Sequence, residues 1–460
     1  MVQLSINDIV SATSGKLISG SRDASITGIS TDSRTIEPGN LFFALDLGSA
    51  DGHNFIKSAV ENGASGVVVS RDLDAVPECP IIKVSDTLWA LGDLAAYYRS
   101  RFDAKVIAVT GSVGKTSTKE MLASILSQKF NVLKSALNHN NEIGVPQTLF
   151  QMDQSHEVVV VEMAMRGLGE IRRLAQIARP QIGVITNIGM SHIERLGSQG
   201  AIADAKSELL SELPLDGVAV LNGEDGYYPV LESRFPGRII SFGACSGVDV
   251  AGARIKYNKD GQCRFALMID GEGAIELTLP IPGTHNVYNA LAAGAAAYAL
   301  GMDLYAIKDG LESFDLPSMR MNLDKTVEGI ALLNDAYNAN PASMAAAIKT
   351  LRALSGWTRK VAVLGDMLEL GEFSERAHLD LGRSVMEAKI DLLITVGDGG
   401  KIIARGANKE GMAMDRIRSY ENSVEAAEAI HDWLEQGDAV LVKGSRGMKM
   451  EQIAEALHAG

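Results

Sequence analysis

The stretch VIAVTGSVGKTSTKEM, Val106 to Met121, most narrowly limits what this chain can fold into. Val106 to Val109 form a short apolar run that reads as a buried strand. From Lys115 onward Met121, Leu122, Ile125 and Leu126 recur at helical spacing. A strand, a glycine turn and a helix with Lys-Thr in its first turn form the arrangement that cradles phosphates. Gly111 and Gly114 allow the backbone of Ser112, Val113 and their neighbours up to Ser117 to turn its N–H groups toward an anion. The helix N-terminus adds partial positive charge. Lys115 is placed to reach outer phosphates, and the Thr116 hydroxyl to hold Mg²⁺. The longer pattern G-x-x-x-x-G-K-[ST] wants a glycine where Val109 stands, so this loop is a shorter variant beginning at Gly111. It predicts nucleotide binding.

The rest of the chain supplies the sheet such a loop needs. At 460 residues it should hold roughly three domains. Residues 1–84 alternate short strands with turns, as in GASGVVVS. Residues 85–313 run VVVVEM, GEIRRLAQIA, IGVITNI, SQGAIADAKSELLSEL and GVAVLN, the rhythm of a parallel sheet with helices on both faces. Residues 248–281 interrupt it with an expected hairpin around Asp260-Gly261. Residues 314–460 resume βα units with IALLNDAY, KVAVLGDM, DLLITVGDG and DAVLVKGS. The expected fold is α/β in three domains: a central phosphate-loop ATPase sheet, a small α/β N-terminal domain and a Rossmann-like C-terminal domain. No G-x-G-x-x-G occurs in the last block, so a dinucleotide is not indicated.

Composition excludes several classes. A formal charge of −14 argues against an extended nucleic-acid surface. Cys79, Cys245 and Cys263 have no metal spacing and read as reduced thiols of a cytoplasmic protein. The apolar run Ala290 to Met302 is too short to span a bilayer, and no membrane insertion is expected.

Ligands of doubly wound sheets sit at the carboxyl ends of strands. Beside the loop after Val109, two such ends carry chemistry. Glu162 closes the run Val158 to Val161, and TNIGMSH places His192 beyond a strand ending near Ile188. A carboxylate at this edge suits Mg²⁺. Taken alone, Glu162 could equally be a surface ion-pair partner and His192 a structural loop histidine. Lys206 is unusual: within a helix read as Ser198 to Leu213, Ile202, Ala203, Leu209 and Leu210 share its face, while Asp204, Ser207 and Glu208 point elsewhere. Burial would favour a neutral amine able to capture CO₂ as a carbamate. The alternative is a lysine that runs its stem out to water.

Together these segments resemble the Mur ligases, ATP-dependent amide-forming enzymes of peptidoglycan synthesis. The resemblance rests on TGSVGKTS, the Glu162 strand end, TNIGMSHIERLGS, the AKSE segment, GTHNVYNALAA and NDAYNANPASM, spread over nearly the whole chain. DAYNANPASM, LGDMLELG, TDSRTIEPGNLFFAL and DGHNF resemble the member acting last in the cytoplasm, whose substrates are UDP-MurNAc-tripeptide and D-alanyl-D-alanine. The resemblance implies ATP with two Mg²⁺ sites, Thr116 and Glu162 for one, His192 and a carbamylated Lys206 for the other. It implies His285, Asn286 and Asn289 on the adenine side, Asp335 at the ribose and Arg320 at the γ-phosphate. Ser33 and Arg34, with Asn138, Asn140 and Asn141 in LNHNNEIG, and Asn338 and Asn340, become candidate substrate contacts. Lys443 and Arg446 are candidates to neutralise the dipeptide carboxylate, with solvated loop charges as the alternative. A monomer is expected. Met319 stands where the family commonly has glycine, and Ser191 replaces a usual alanine, a change expected to matter little. A phosphate-loop switch, a small-molecule kinase and a folylpolyglutamate-type ligase are the rival readings.

Overall fold

The computed structural model describes residues 3–459 except 49, 75–76, 137, 259–260 and 316–318. Leu137 and Asp260, parts of the predicted contact loop and hairpin turn, therefore lie outside the described residues. Three main sheets follow one another along the chain, matching the expected three-domain α/β architecture. The first has five strands in the order Lys16–Ser19, Ile81–Lys83, Gly66–Val69, Asn40–Phe43 and Gly28–Ser30, antiparallel only at its first pair. The third has six, ordered Asn322–Lys325, Ala331–Asn334, Asp438–Lys443, Arg359–Gly365, Leu392–Val396 and Ile417–Tyr420, antiparallel only between the first two.

The central sheet sets up the site. Its strands β1 (Lys105–Thr110), β2 (Val158–Glu162) and β3 (Ile182–Ile185) lie side by side and parallel, with β1 in the middle. Each is apolar almost throughout because helices cover both faces of the sheet. Glu162 pairs in register with Val109, and Ile185 with Thr110, so all three strands end at one edge. The interrupting segment forms the expected hairpin, with Val250–Tyr257 paired antiparallel to Gln262–Ile269. Val250–Tyr257, Gln262–Ile269 and Gly273–Pro282 extend this same nine-stranded sheet as its antiparallel border.

Four helices present the remaining side chains: α1 (Lys115–Leu126), α2 (Gln199–Ser211), α3 (Thr284–Ala299) and α4 (Pro341–Ala353). α3 is rich in alanine because it packs closely along α1, with residues Ala290–Ala297 buried. Among the described residues no helix is long and apolar enough to cross a membrane.

Candidate active site

The phosphate loop is shaped by what crowds it. Gly111 has φ 145°, and a Cβ there would lie 1.9 Å from Thr186 Oγ1. Gly114 has φ 87°, and its Cβ would lie 2.1 Å from Asn289 Oδ1 on α3. Only glycine fits either place. The end of β3 ties the loop down: Val113 N–H donates to Asn187 Oδ1 at 3.0 Å, and Thr186 Oγ1 donates to the Val113 carbonyl at 2.6 Å. Lys115 Nζ donates to the Gly111 carbonyl at 2.9 Å, curling back over the loop it follows.

Thr116 Oγ1 donates to Glu162 Oε2 at 2.7 Å, and Asn140 Nδ2 donates to Glu162 Oε1 at 2.9 Å. Glu162 is buried. Burial raises its carboxyl, but Lys115 and these two hydrogen bonds outweigh that and hold it below the usual range. A second buried cation, Lys119, supports the edge from beneath. It donates to the Ser135 carbonyl at 2.6 Å and pairs with Glu120 at 2.9 Å, while Ser135 Oγ accepts from Glu162 N–H at 3.2 Å. Lys119 stands in the quoted opening stretch, yet only its packing against the neighbouring strand reveals this role. Ionised oxygen beside hydroxyl oxygen suits a hard cation. Among the described residues no three His, Cys, Asp or Glu side chains converge, so such a cation would draw other ligands from phosphate and water. Glu162→Gln keeps the side chain's size and one acceptor oxygen, sets an amide NH₂ in place of the other and removes the charge. It is expected to shift the Mg²⁺ concentration for half-maximal turnover upward by roughly tenfold; an unchanged metal titration would exclude the ligand role.

His192 has φ 65° and precedes the short helix Ile193–Leu196. Its Nδ1 lies 2.8 Å from Glu369 Oε2, a charge contact without hydrogen-bond alignment. Desolvation lowers the imidazole pKa and Lys115 and Lys206 push the same way, against the opposing pull of Glu369. Lys206 is 1 % exposed, so its stem does not run to water. Its amine is pushed well below the ordinary lysine range by burial and by Lys115. Ser207 and Glu208, expected on a polar face, are buried too. Glu208 accepts from Gly169 N–H at 2.7 Å and Arg172 N–H at 3.1 Å, capping the next helix.

The C-terminal sheet contributes the opposite wall. Met319, at the position expected to favour glycine, adopts φ 63°, so the chain takes the left-handed turn without one, at about 1–2 kcal/mol. Arg320 follows, its guanidinium 3.9 Å from the Tyr337 ring centroid. Lys443 is buried and pairs with Asp335 Oδ2 at 2.6 Å, so the solvated reading fails, and its charge is already matched. Arg446 is exposed and pairs with Glu451 at 3.0 Å. Desolvation lowers His285 to about 4, with Asp335 opposing and Lys443 adding. Asn286 and Asn289 are buried and joined at 3.0 Å.

One cavity of ≈ 830 Å³ gathers most of these groups. Ser112 to Ser117, Asn140, Asn141, Glu162, His192, His285, Asn286, Asn289, Arg320, Asp335, Asn338, Asn340, Lys443 and Arg446 line it. Lys206 lies behind the wall. Asn141 and Asn340 also cap helices, accepting from Gly144 N–H and Ser343 N–H at 2.9 Å each. Asn138 stays outside the lining but hydrogen-bonds the Tyr337 hydroxyl. Ser33 and Arg34 sit in the first domain away from the cavity. Arg34 is paired with Asp32 at 2.6 Å, and the adjacent Thr31 accepts from Gln147 at 3.3 Å. Ser191 matters more than expected: it donates to the Ser112 carbonyl at 3.2 Å and accepts from Asn340 at 3.1 Å. Glu369 and Tyr337 lay inside quoted motifs, but nothing local in them marks a partner in another domain.

Three family models match in chain order. They are the Mur ligase family catalytic domain over residues 25–99, the Mur ligase middle domain over 109–297 and the Mur ligase glutamate ligase domain over 319–446. The UDP-N-acetylmuramoyl-tripeptide–D-alanyl-D-alanine ligase of Bacillus subtilis is 37% identical over 461 residues, 99% of each chain. Among solved structures, MurF from Acinetobacter baumannii matches with TM-score 0.92 at 35% identity, covering 100% of this chain and 99% of that one. MurF ligase from Thermotoga maritima in complex with ADP matches with TM-score 0.82 at 26% identity, covering 94% and 97%. Likeness over the full length, with each sheet answering to its own family model, makes the conclusion direct: this chain belongs to the Mur ligase family.

Proposed function

We propose that this chain joins D-alanyl-D-alanine to UDP-MurNAc-tripeptide, cleaving ATP to ADP and phosphate, in peptidoglycan synthesis. The observation that carries this reading is the single cavity with Lys115 on one wall and Arg320 on the other. We divide the chain at 84/85 and 313/314: the first part would hold the uridine nucleotide, with buried Ser33 and exposed Arg34 as its candidate contacts. The second would hold ATP, and the third would bring the dipeptide.

The tripeptide carboxylate attacks the γ-phosphorus, an acyl–phosphate bond forms, and the bond to the β-phosphate oxygen breaks to release ADP. The dipeptide amine then attacks the acyl carbon. The tetrahedral oxyanion collapses to the amide, expels phosphate and loses the amine's proton. Two anions must meet in the first step, so neutralisation and alignment dominate the barrier. Lys115 and Arg320 supply positive charge from two domains. Asn286 and Asn289 fix the adenine side, and Asp335 faces the ribose, with Lys443 holding its carboxylate. Thr116 and Glu162 would hold one Mg²⁺, and His192 with a carbamylated Lys206 a second. Bound there, the ions neutralise triphosphate charge. Alignment of the ionic reactants removes roughly 7–11 kcal/mol of barrier.

ADP release tests the reading when measured with ATP alone, with UDP-MurNAc-tripeptide, and with D-alanyl-D-alanine added. Sustained release only with both substrates, and a product whose mass equals the two joined with loss of water, are expected. Steady release with ATP alone would favour a nucleotide switch and overturn the ligase reading.

A further inference from the structure

Arg320 reaches the cavity with few polar supports. Its backbone N–H donates to Asn322 Oδ1 at 2.9 Å, and both neighbours, Met319 and Met321, hold left-handed φ values of 63° and 56°. Among the described residues no oxygen accepts from its guanidinium, and its buried Nε has no hydrogen-bond partner. Fixing so long a side chain without an acceptor is entropically unfavourable, so something else must hold it. That something is the face of Tyr337, 3.9 Å from the guanidinium carbon. A stacked guanidinium keeps its in-plane N–H donors free for an anion.

Tyr337 is itself held from both domains. Its N–H donates to the Met319 carbonyl at 3.2 Å, and its hydroxyl bonds Asn138, 199 positions earlier in the chain. The Arg446 guanidinium lies 6.0 Å from the same ring centroid. The ring is thus a fixed shelf beneath one arginine, with a second cation nearby.

We propose that Tyr337 is the positioning residue for Arg320, its ring face presenting the guanidinium to the outer phosphates. This rests on the reading above, in which Arg320 meets the γ-phosphate. A ring that only fills space, or one that touches substrate directly, would act independently of which cation lies on it.

The test uses full-length Tyr337→Leu, Tyr337→Phe, Arg320→Lys and the Tyr337→Leu/Arg320→Lys double variant, with kcat and KM for ATP read from ADP release. Tyr337→Leu should lower kcat/KM for ATP about tenfold, mostly through kcat. Tyr337→Phe, which keeps the shelf, should stay within about threefold. In the Arg320→Lys background, Tyr337→Leu should cost less than about twofold. Should the Leu variant melt below assay temperature, Tyr337→Met takes its place. The same loss in both backgrounds, or no loss in either, overturns the proposal. Wild-type kinetics in Arg320→Lys itself would instead remove the underlying γ-phosphate reading, and the proposal with it.

Discussion

Replacing Lys115 by alanine is expected to lower turnover by roughly 10²–10³-fold while leaving the protein folded, with a cooperative melting transition. The ammonium leans on its own loop through Gly111 and lies in the field of Glu162, whose oxygens are already engaged by Thr116 and Asn140. Burial lowers its pKa, and the approach of Arg320 adds to that, against the opposing pull of Glu162. A cation pressed by a second cation, with its carboxylate neighbour occupied, gains most when a triphosphate enters. Its removal takes away charge stabilisation where phosphoryl transfer needs it; in the free protein it ends the repulsion from Arg320 but also leaves buried Glu162 without its main offsetting charge. ADP release and calorimetric melting separate the two effects. Turnover within tenfold of the parent would sink the assigned phosphate site.

The second large effect concerns Lys206. Protein stripped of CO₂ is expected to lose most of its activity and to regain it on addition of bicarbonate, with intact mass rising by one CO₂ on this residue. Lys206 is 1 % exposed, and burial and Lys115 both push the pKa of its amine down with no carboxylate opposing them. A protonated ammonium there bears a desolvation cost that nothing offsets, so the neutral form is favoured. Its nitrogen adds to the carbon of CO₂, a proton departs, and the product is an anion facing the fields of Lys115 and His192. Lys206→Met keeps the volume and the apolar face. It should be at least as stable as the parent, and its residual activity should not respond to bicarbonate. Full activity in the stripped protein, with no added mass, would show that the buried amine does not work as a carbamate.

How much of this was legible in the sequence follows the range of each interaction. Gly111, Gly114, Lys115 and Thr116 could be placed because strand, loop and helix are contiguous, and their geometry follows from local rules. Glu162 and His192 came from strand ends, a rule of topology. The break in the βα rhythm after residue 248 and its hairpin were legible, but not that these strands border the central sheet, since alternation does not tell which sheet a strand joins. The state of Lys206 could not be decided by helical period alone: the same stripe fits a buried amine and an extended stem, and tertiary packing decides. Lys443 and Asp335 sit 108 positions apart, and their ion pair exists only because two neighbouring strands end together. Glu369 and Tyr337 are likewise invisible locally, since their partners His192 and Asn138 belong to another domain.

Among the described residues, the side-chain hydrogen bonds and charge contacts that cross between the central and C-terminal domains are His192 with Glu369, Ser191 with Asn340, and Asn138 with Tyr337. Each is anchored beside the reacting groups rather than on distant surface. If Arg320 meets the γ-phosphate as proposed, an arrangement with these contacts broken would leave bound ATP without that arginine. On that reading, wasteful hydrolysis is expected to stay low whenever the two domains are not in contact.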